Sequence, residues 1–178
     1  MVTLNYGTNI VDVALTPIGI GVIAMGSDAI VRDNEWPLSG RSTLDLRIPC
    51  NGNGLITEVR LRLSDVTVGP FANVHVGAFY HVVDTAWGCR DFDIIPQVDH
   101  SGGVEEIVTL PNGFQAMAGD IIGAYVPGTQ CYIMIDTDYG NPSMLFYLGN
   151  AFAAGQETAF TLSTNRGAVS MQGVGIAL

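Results

Sequence analysis

The sequence predicts an all-β fold: an antiparallel two-sheet sandwich, jelly-roll-like, of about nine to ten strands with an extended N-terminal arm. Three observations lead there. Apolar residues recur with a period of two along much of the chain, and no stretch keeps a convincing helical period. Clusters of Gly, Pro and Asn interrupt those alternations at short intervals. With 178 residues, 48% of them hydrophobic, the chain is long enough to bury one sizeable core and too apolar to remain disordered.

The first element is "VALTPIGIGVIAMGS", Val13–Ser27, which carries no charge. A signal peptide needs a positive flank, yet the first cation is Arg32 and Asp12 precedes the run. A membrane helix needs ~20 apolar residues. This stretch is shorter and contains Pro17, Gly19, Gly21 and Gly26. Extended chain remains, with Ile18, Ile20 and Val22 alternating against Gly19 and Gly21. Two readings stand: an ordinary first strand, or an arm packed on a neighbouring subunit. The expected division is 1–25 as arm or first strand and 26–178 as the sandwich domain.

The later elements follow in order. "STLDLRI" sets Leu44, Leu46 and Ile48 against Thr43, Asp45 and Arg47. "LITEVRLRL" places Leu55, Val59, Leu61 and Leu63 inward, and Ile56, Glu58, Arg60 and Arg62 outward. "VHVGAFYHV" points Val74, Val76, Ala78, Tyr80 and Val82 inward, and His75, Gly77, Phe79 and His81 outward. "CYIMID" alternates from Cys131 to Asp136. Further strands are predicted at 105–110, 120–126, 143–148, 157–163 and 169–176. Turn residues punctuate the runs at "CNGNG", "SGG", "PNG", "PGT", "YGNP" and "TNRG".

Charge and cysteine content narrow the function classes. The net charge of −10 repels phosphate backbones and anionic membranes, so neither nucleic-acid binding nor membrane insertion is expected. Charged residues are only 13%, and with no lysine all seven cations are arginine. Protein interfaces deplete lysine and accept arginine, so much of the surface is expected to meet partners. Cys50, Cys89 and Cys131 form no C-x-x-C pair, and an odd count makes a poor disulfide framework.

A set of short motifs runs through the chain: "GSDAIVR" (Gly26–Arg32), "NGNGLITEVRL" (Asn51–Leu61), "RD" (Arg90–Asp91), "AGDIIGAY" (Ala118–Tyr125) and "VSMQGVG" (Val169–Gly175). Together they resemble a β-sandwich domain found in bacteriophage tail and virion proteins and in environmental bacterial proteins. The resemblance covers roughly Gly26–Leu178 and implies a structural or adhesive role. "AGDIIG" also has a direct reading: Gly119 permits a positive-φ turn, and Asp120 accepts turn hydrogen bonds as a structural carboxylate.

Candidate chemistry is sparse. His75 and His81 share a strand face but lie roughly 20 Å apart, too far to bind one ion. Asp136 and Asp138 in "DTDYGN" match a fragment of a calcium-loop spacing, without the glycine or the distal glutamate an EF-hand needs. They are weak metal candidates; solvated turn residues are the blander reading, and no cofactor is expected. No nucleophile, zinc-protease, P-loop or dinucleotide motif occurs. Trp87, in the turn-like "DTAWGCRD", and Tyr139 could stack on a sugar ring.

The expected function is therefore a non-enzymatic structural subunit that self-assembles through its sandwich and N-terminal segment, with Ile18, Ile20 and Val22 as assembly residues. Its partners would be its own copies and other virion proteins, in a virion or extracellular assembly. The alternative is a carbohydrate-binding or receptor-binding module that meets a host surface glycan through Trp87 and Tyr139.

Overall fold

The computed structural model describes residues 21–67, 69–100, 104–128, 130–138 and 141–178, and among them the chain is all β. The strands are β1 (Val22–Gly26), β2 (Asn34–Pro37), β3 (Arg41–Asp45), β4 (Gly54–Arg62), β5 (Phe71–Val83), β6 (Ala86–Val98) and β7 (Glu105–Ala116). They continue with β8 (Ile121–Tyr125), β9 (Tyr132–Thr137), β10 (Met144–Leu148), β11 (Glu157–Ala159), β12 (Thr161–Leu162), β13 (Arg166–Val169) and β14 (Met171–Ala177).

One sheet has the order β11-β6-β5-β8-β3-β10-β12. Facing it are a four-stranded sheet, β1-β14-β4-β7, and a three-stranded one, β13-β9-β2. The ladders between named strands are antiparallel. The Leu63–Ile133 bridge and the Ser170 N–H to Met134 O bond join the two smaller sheets into one layer. Between the layers lies a core of Ile23, Met25, Ile56, Val59, Leu61, Val76, Ala78, Phe114, Ile122, Ile133 and Met171. The fold is thus a β-sandwich with more strands than expected, because 157–163 divides into β11 and β12, 169–176 falls on the end of β13 and on β14, and β2 and β6 were not foreseen.

Two bulges explain most of the differences. In β4, Ile56 is fully buried and Leu55 is only partly so, the reverse of the simple alternation. Along β14 the register advances one residue from Val174 to Gly175, while β4 steps two, from Glu58 to Ile56. Thr57 is the extra residue, and one extra residue flips every later side chain to the opposite face. In β6, Ala78 faces Asp91 and Phe79 faces Cys89, so Arg90 is the bulged residue. That slip hides the alternation of 86–98, which is why "DTAWGCRD" reads as a turn. Only Asp84 and Thr85 turn.

A second core corrects the assignment for β5. Phe79, expected outside, is fully buried, and Val82, expected inside, is exposed near the hairpin end. The outer face of the seven-stranded sheet is roofed by the segment 149–160. Ala151, Phe152 and Phe160 pack there on Leu44, Phe79, Cys89, Ile121 and Leu145. Phe79 meets Phe152 edge to face at 5.1 Å, a favoured aromatic geometry.

β1 holds the end of the opening stretch. Val22–Gly26 pairs with β14 of the same chain, and Ile23 and Met25 are buried in the main core. The division after residue 25 therefore falls inside a strand of the sandwich. Val22 points the other way and is 70% exposed. Ile18 and Ile20 lie outside the described residues.

Candidate assembly surface

The polar residues that first suggest chemistry are taken up by the scaffold. Arg90 binds Asp120 through two guanidinium nitrogens, Nη2 reaching Oδ1 at 2.9 Å. The Met117 N–H also donates to Asp120, at 2.8 Å, across the turn in which Gly119 adopts φ +92°. The Arg90 guanidinium lies 5.0 Å over the Tyr80 ring. Asp120 is thus the structural carboxylate expected, with a cationic partner that sequence reading did not assign.

Asp91 and Asp93 cap backbone amides of β7: Asp93 accepts from Asn112 and Gly113, and Asp91 from Gln115. These bonds hold the Asp93 carboxyl below its ordinary range, against the opposing effect of burial, which is the largest single influence. Asp136 pairs with Arg32 at 2.7 Å and Asp138 with Arg47 at 3.1 Å. The weak metal candidates are therefore partnered by guanidinium groups, and no cluster of metal-type ligands occurs among the described residues. Asp45 is fully buried, and burial pushes its carboxyl up although the Ser27 and Arg47 amides donate to it.

The three cysteines are buried and free. Burial pushes the Cys89 and Cys131 thiols up to about 12, where little reactive thiolate exists at neutral pH.

Exposed apolar residues are scattered over the described surface, among them Val31, Val66, Val83 and Leu148, and several lie together on the outer face of the four-stranded sheet. The register aligns Val22 with Ile176 and Ile176 with Leu55. Val22 is 70% and Ile176 40% exposed. Beyond them, Met117 and Leu178 are exposed at the same end of the sheet. A cavity of about 150 Å³ opens there, lined by Asn53, Gly54, Gln115, Ala116, Met117 and Leu178. Two rows further along, Glu58 and Arg60 form a 2.8 Å ion pair that borders the apolar row. An apolar centre with a charged rim is the arrangement of a protein interface.

The edges at β1, β2 and β7 are blunted, which disfavours strand addition there. Along β1 the Ala24 N–H donates to Asn51 Oδ1, the Ala24 carbonyl accepts from Asn51 N–H, and Gly26 N–H donates to Ile48 O. Along β2, Pro37 has no N–H, and Asn34 Oδ1 caps the Glu35 amide. Along β7 the aspartates described above occupy the amides.

Of the two sugar-stacking candidates, the structure describes Trp87. Trp87 sits in β6, half-buried, with its ring 5.0 Å from His81 and packed on the second core. Tyr139 lies outside the described residues. Of the predicted assembly residues, Val22 lies among the described residues, where its neighbours across the sheet are Ile176 and Leu55, with Met117 and Leu178 at the same end. Only register could reveal this grouping, because the strands involved are far apart in sequence.

Comparison with protein-family models, curated proteins and solved structures yields no match. No helix among the described residues is long and apolar enough to cross a membrane.

Proposed function

We propose that this chain is a non-enzymatic structural subunit that self-assembles through the outer face of its four-stranded sheet. A bacteriophage virion component, joined to its own copies and to other virion proteins, is the setting that the sequence resemblance suggests. The observation that carries the reading is the row of exposed Val22 and Ile176 beside partly buried Leu55, continued by exposed Met117 and Leu178. Val22 directly follows the apolar "TPIGIG" stretch in the sequence. In this reading, Ile18 and Ile20 join Val22 in covering the row of a neighbouring copy. At ~25 cal/mol per Å² of apolar area, several such side chains together offset the ordering of a short arm.

The pair Val22→Arg with Ile176→Glu tests the surface. The two positions are directly opposed, so the new charges attract each other and the strand pair survives. The expected result is an unchanged far-UV spectrum and thermal midpoint, with assembly lost in size-exclusion chromatography. A variant that assembles like the parent chain overturns the assignment of this face.

A further inference from the structure

His75 stands on the outer face of the seven-stranded sheet, beneath the roof formed by residues 149–160. Its ring is 5.9 Å from Phe92, 5.5 Å from Tyr125 and 5.7 Å from Phe152. Phe92 and Tyr125 come from β6 and β8 on either side, whereas Phe152 comes from the roof. The ring is thus one of the contacts between sheet and roof, beside those of Phe79 with Phe152 and Phe160. Its two nitrogens have different neighbours. Nδ1 lies 2.9 Å from the Asn73 carbonyl oxygen, which can only accept, so this nitrogen carries a proton. Nε2 lies 3.5 Å from Asn150 Nδ2. The orientation of that amide is fixed, because Asn150 Oδ1 accepts the Phe152 N–H at 2.9 Å. The NH₂ group therefore faces Nε2, and Nε2 must offer its lone pair. Only the neutral imidazole protonated at Nδ1 meets both neighbours.

We propose that His75 is an acid-sensitive latch, holding the 149–160 roof on the sheet while neutral and releasing it when protonated. A second proton would set an N–H against the Asn150 NH₂ and place a cation beside three rings in a half-buried site. Among the described residues no compensating anion faces it. Asp91 and Asp93 on β6 stand opposite Ala78 and Val76, on the other face of the sheet. On β8 the facing group is the Tyr125 phenol. Glu157, in the roof, lies opposite Gly88, and His81, further along β5, packs on Trp87. Burial lowers the His75 pKa below 6.5, outweighing the opposing help of the Asn73 carbonyl.

The sign follows by linkage. The released ring binds its proton more readily than the docked one. Docking is therefore at full strength above the free-imidazole value and is lost as pH falls through the docked value. The Cys89 amide bond to Gln156 O and the Gly155 amide bond to Cys89 O belong to this roof and would open with it. The underlying core, with Phe79, would then become accessible. The latch stands on its own geometry and does not depend on the assembly reading.

Hydrogen exchange followed by mass spectrometry, at about pH 8 and about pH 5 with intrinsic rates corrected, tests it. In the parent chain, protection within 149–160 and at Cys89 should fall several-fold at the lower pH, while β4 and β14 keep theirs. His75→Phe keeps an apolar ring in the cage and should remove the pH dependence. Asn150→Asp retains the cap on the Phe152 amide but sets a carboxylate beside Nε2, so it should strengthen docking in acid. An acid loss that persists in His75→Phe, an Asn150→Asp chain that opens like the parent, or a loss spread evenly over all strands overturns the proposal.

Discussion

Leu61→Asp is expected to leave no folded protein, whereas Arg60→Asp next to it should fold and melt close to the parent chain. Leu61 is 1% exposed and lies in the core between the layers. A carboxylate there would have no cation partner, and burying an unpaired charge costs several kcal/mol on top of the lost packing. Domains are stable by only about 5–15 kcal/mol, so this change consumes most or all of the margin. Arg60 lies on the opposite face of the same strand, in a solvated pair with Glu58. Its replacement removes a surface contact and adds a like charge, both weak effects in water. Circular dichroism and urea denaturation decide the matter. Two equally soluble and cooperative variants would mean that β4 is turned the wrong way.

Asp120→Ala should be the next most damaging change, at about 3 kcal/mol. It removes the carboxylate that Arg90 grips and that caps the Met117 amide, at a position 2% exposed. The backbone of Asp120 also ties two loops, since its carbonyl accepts the Cys50 amide at 2.7 Å. The guanidinium is left in a partly dry site with only the Tyr80 ring beside it. Adding Arg90→Met should recover part of the loss, because it removes the stranded charge. A double-mutant cycle read by chemical denaturation measures this. Strict additivity of the two changes would show that the pair contributes nothing as a pair.

These two cases show what was legible in the sequence. The all-β sandwich could be read from alternation and turn residues, because each strand with one face in the core writes its own period. The core residues Val59 and Leu61 of β4 and Leu63 just past its end were readable for that reason, as was the structural role of Asp120 in its glycine turn. Thr57 and Arg90 were not. A bulge leaves no residue-type signature, yet it reversed Leu55 and Ile56 and concealed β6 altogether. With β6 unseen, the Arg90–Asp120 pair could not be assigned, since its members are 30 residues apart and meet only across β5. The second core was hidden for a related cause. Phe79 on an apparently solvent-facing side gives no sign that a later segment will return to cover it. The candidate surface was half legible. Val22 stood out in its uncharged run, but Ile176, Leu55 and Met117 join it only through strand register.

The mass of the intact chain in solution bears most directly on the assembly account. Sedimentation equilibrium of residues 1–178 across a concentration series should show species heavier than the 18.9 kDa protomer, with the heavier fraction growing with concentration. A single 18.9 kDa species at every concentration reached would contradict it.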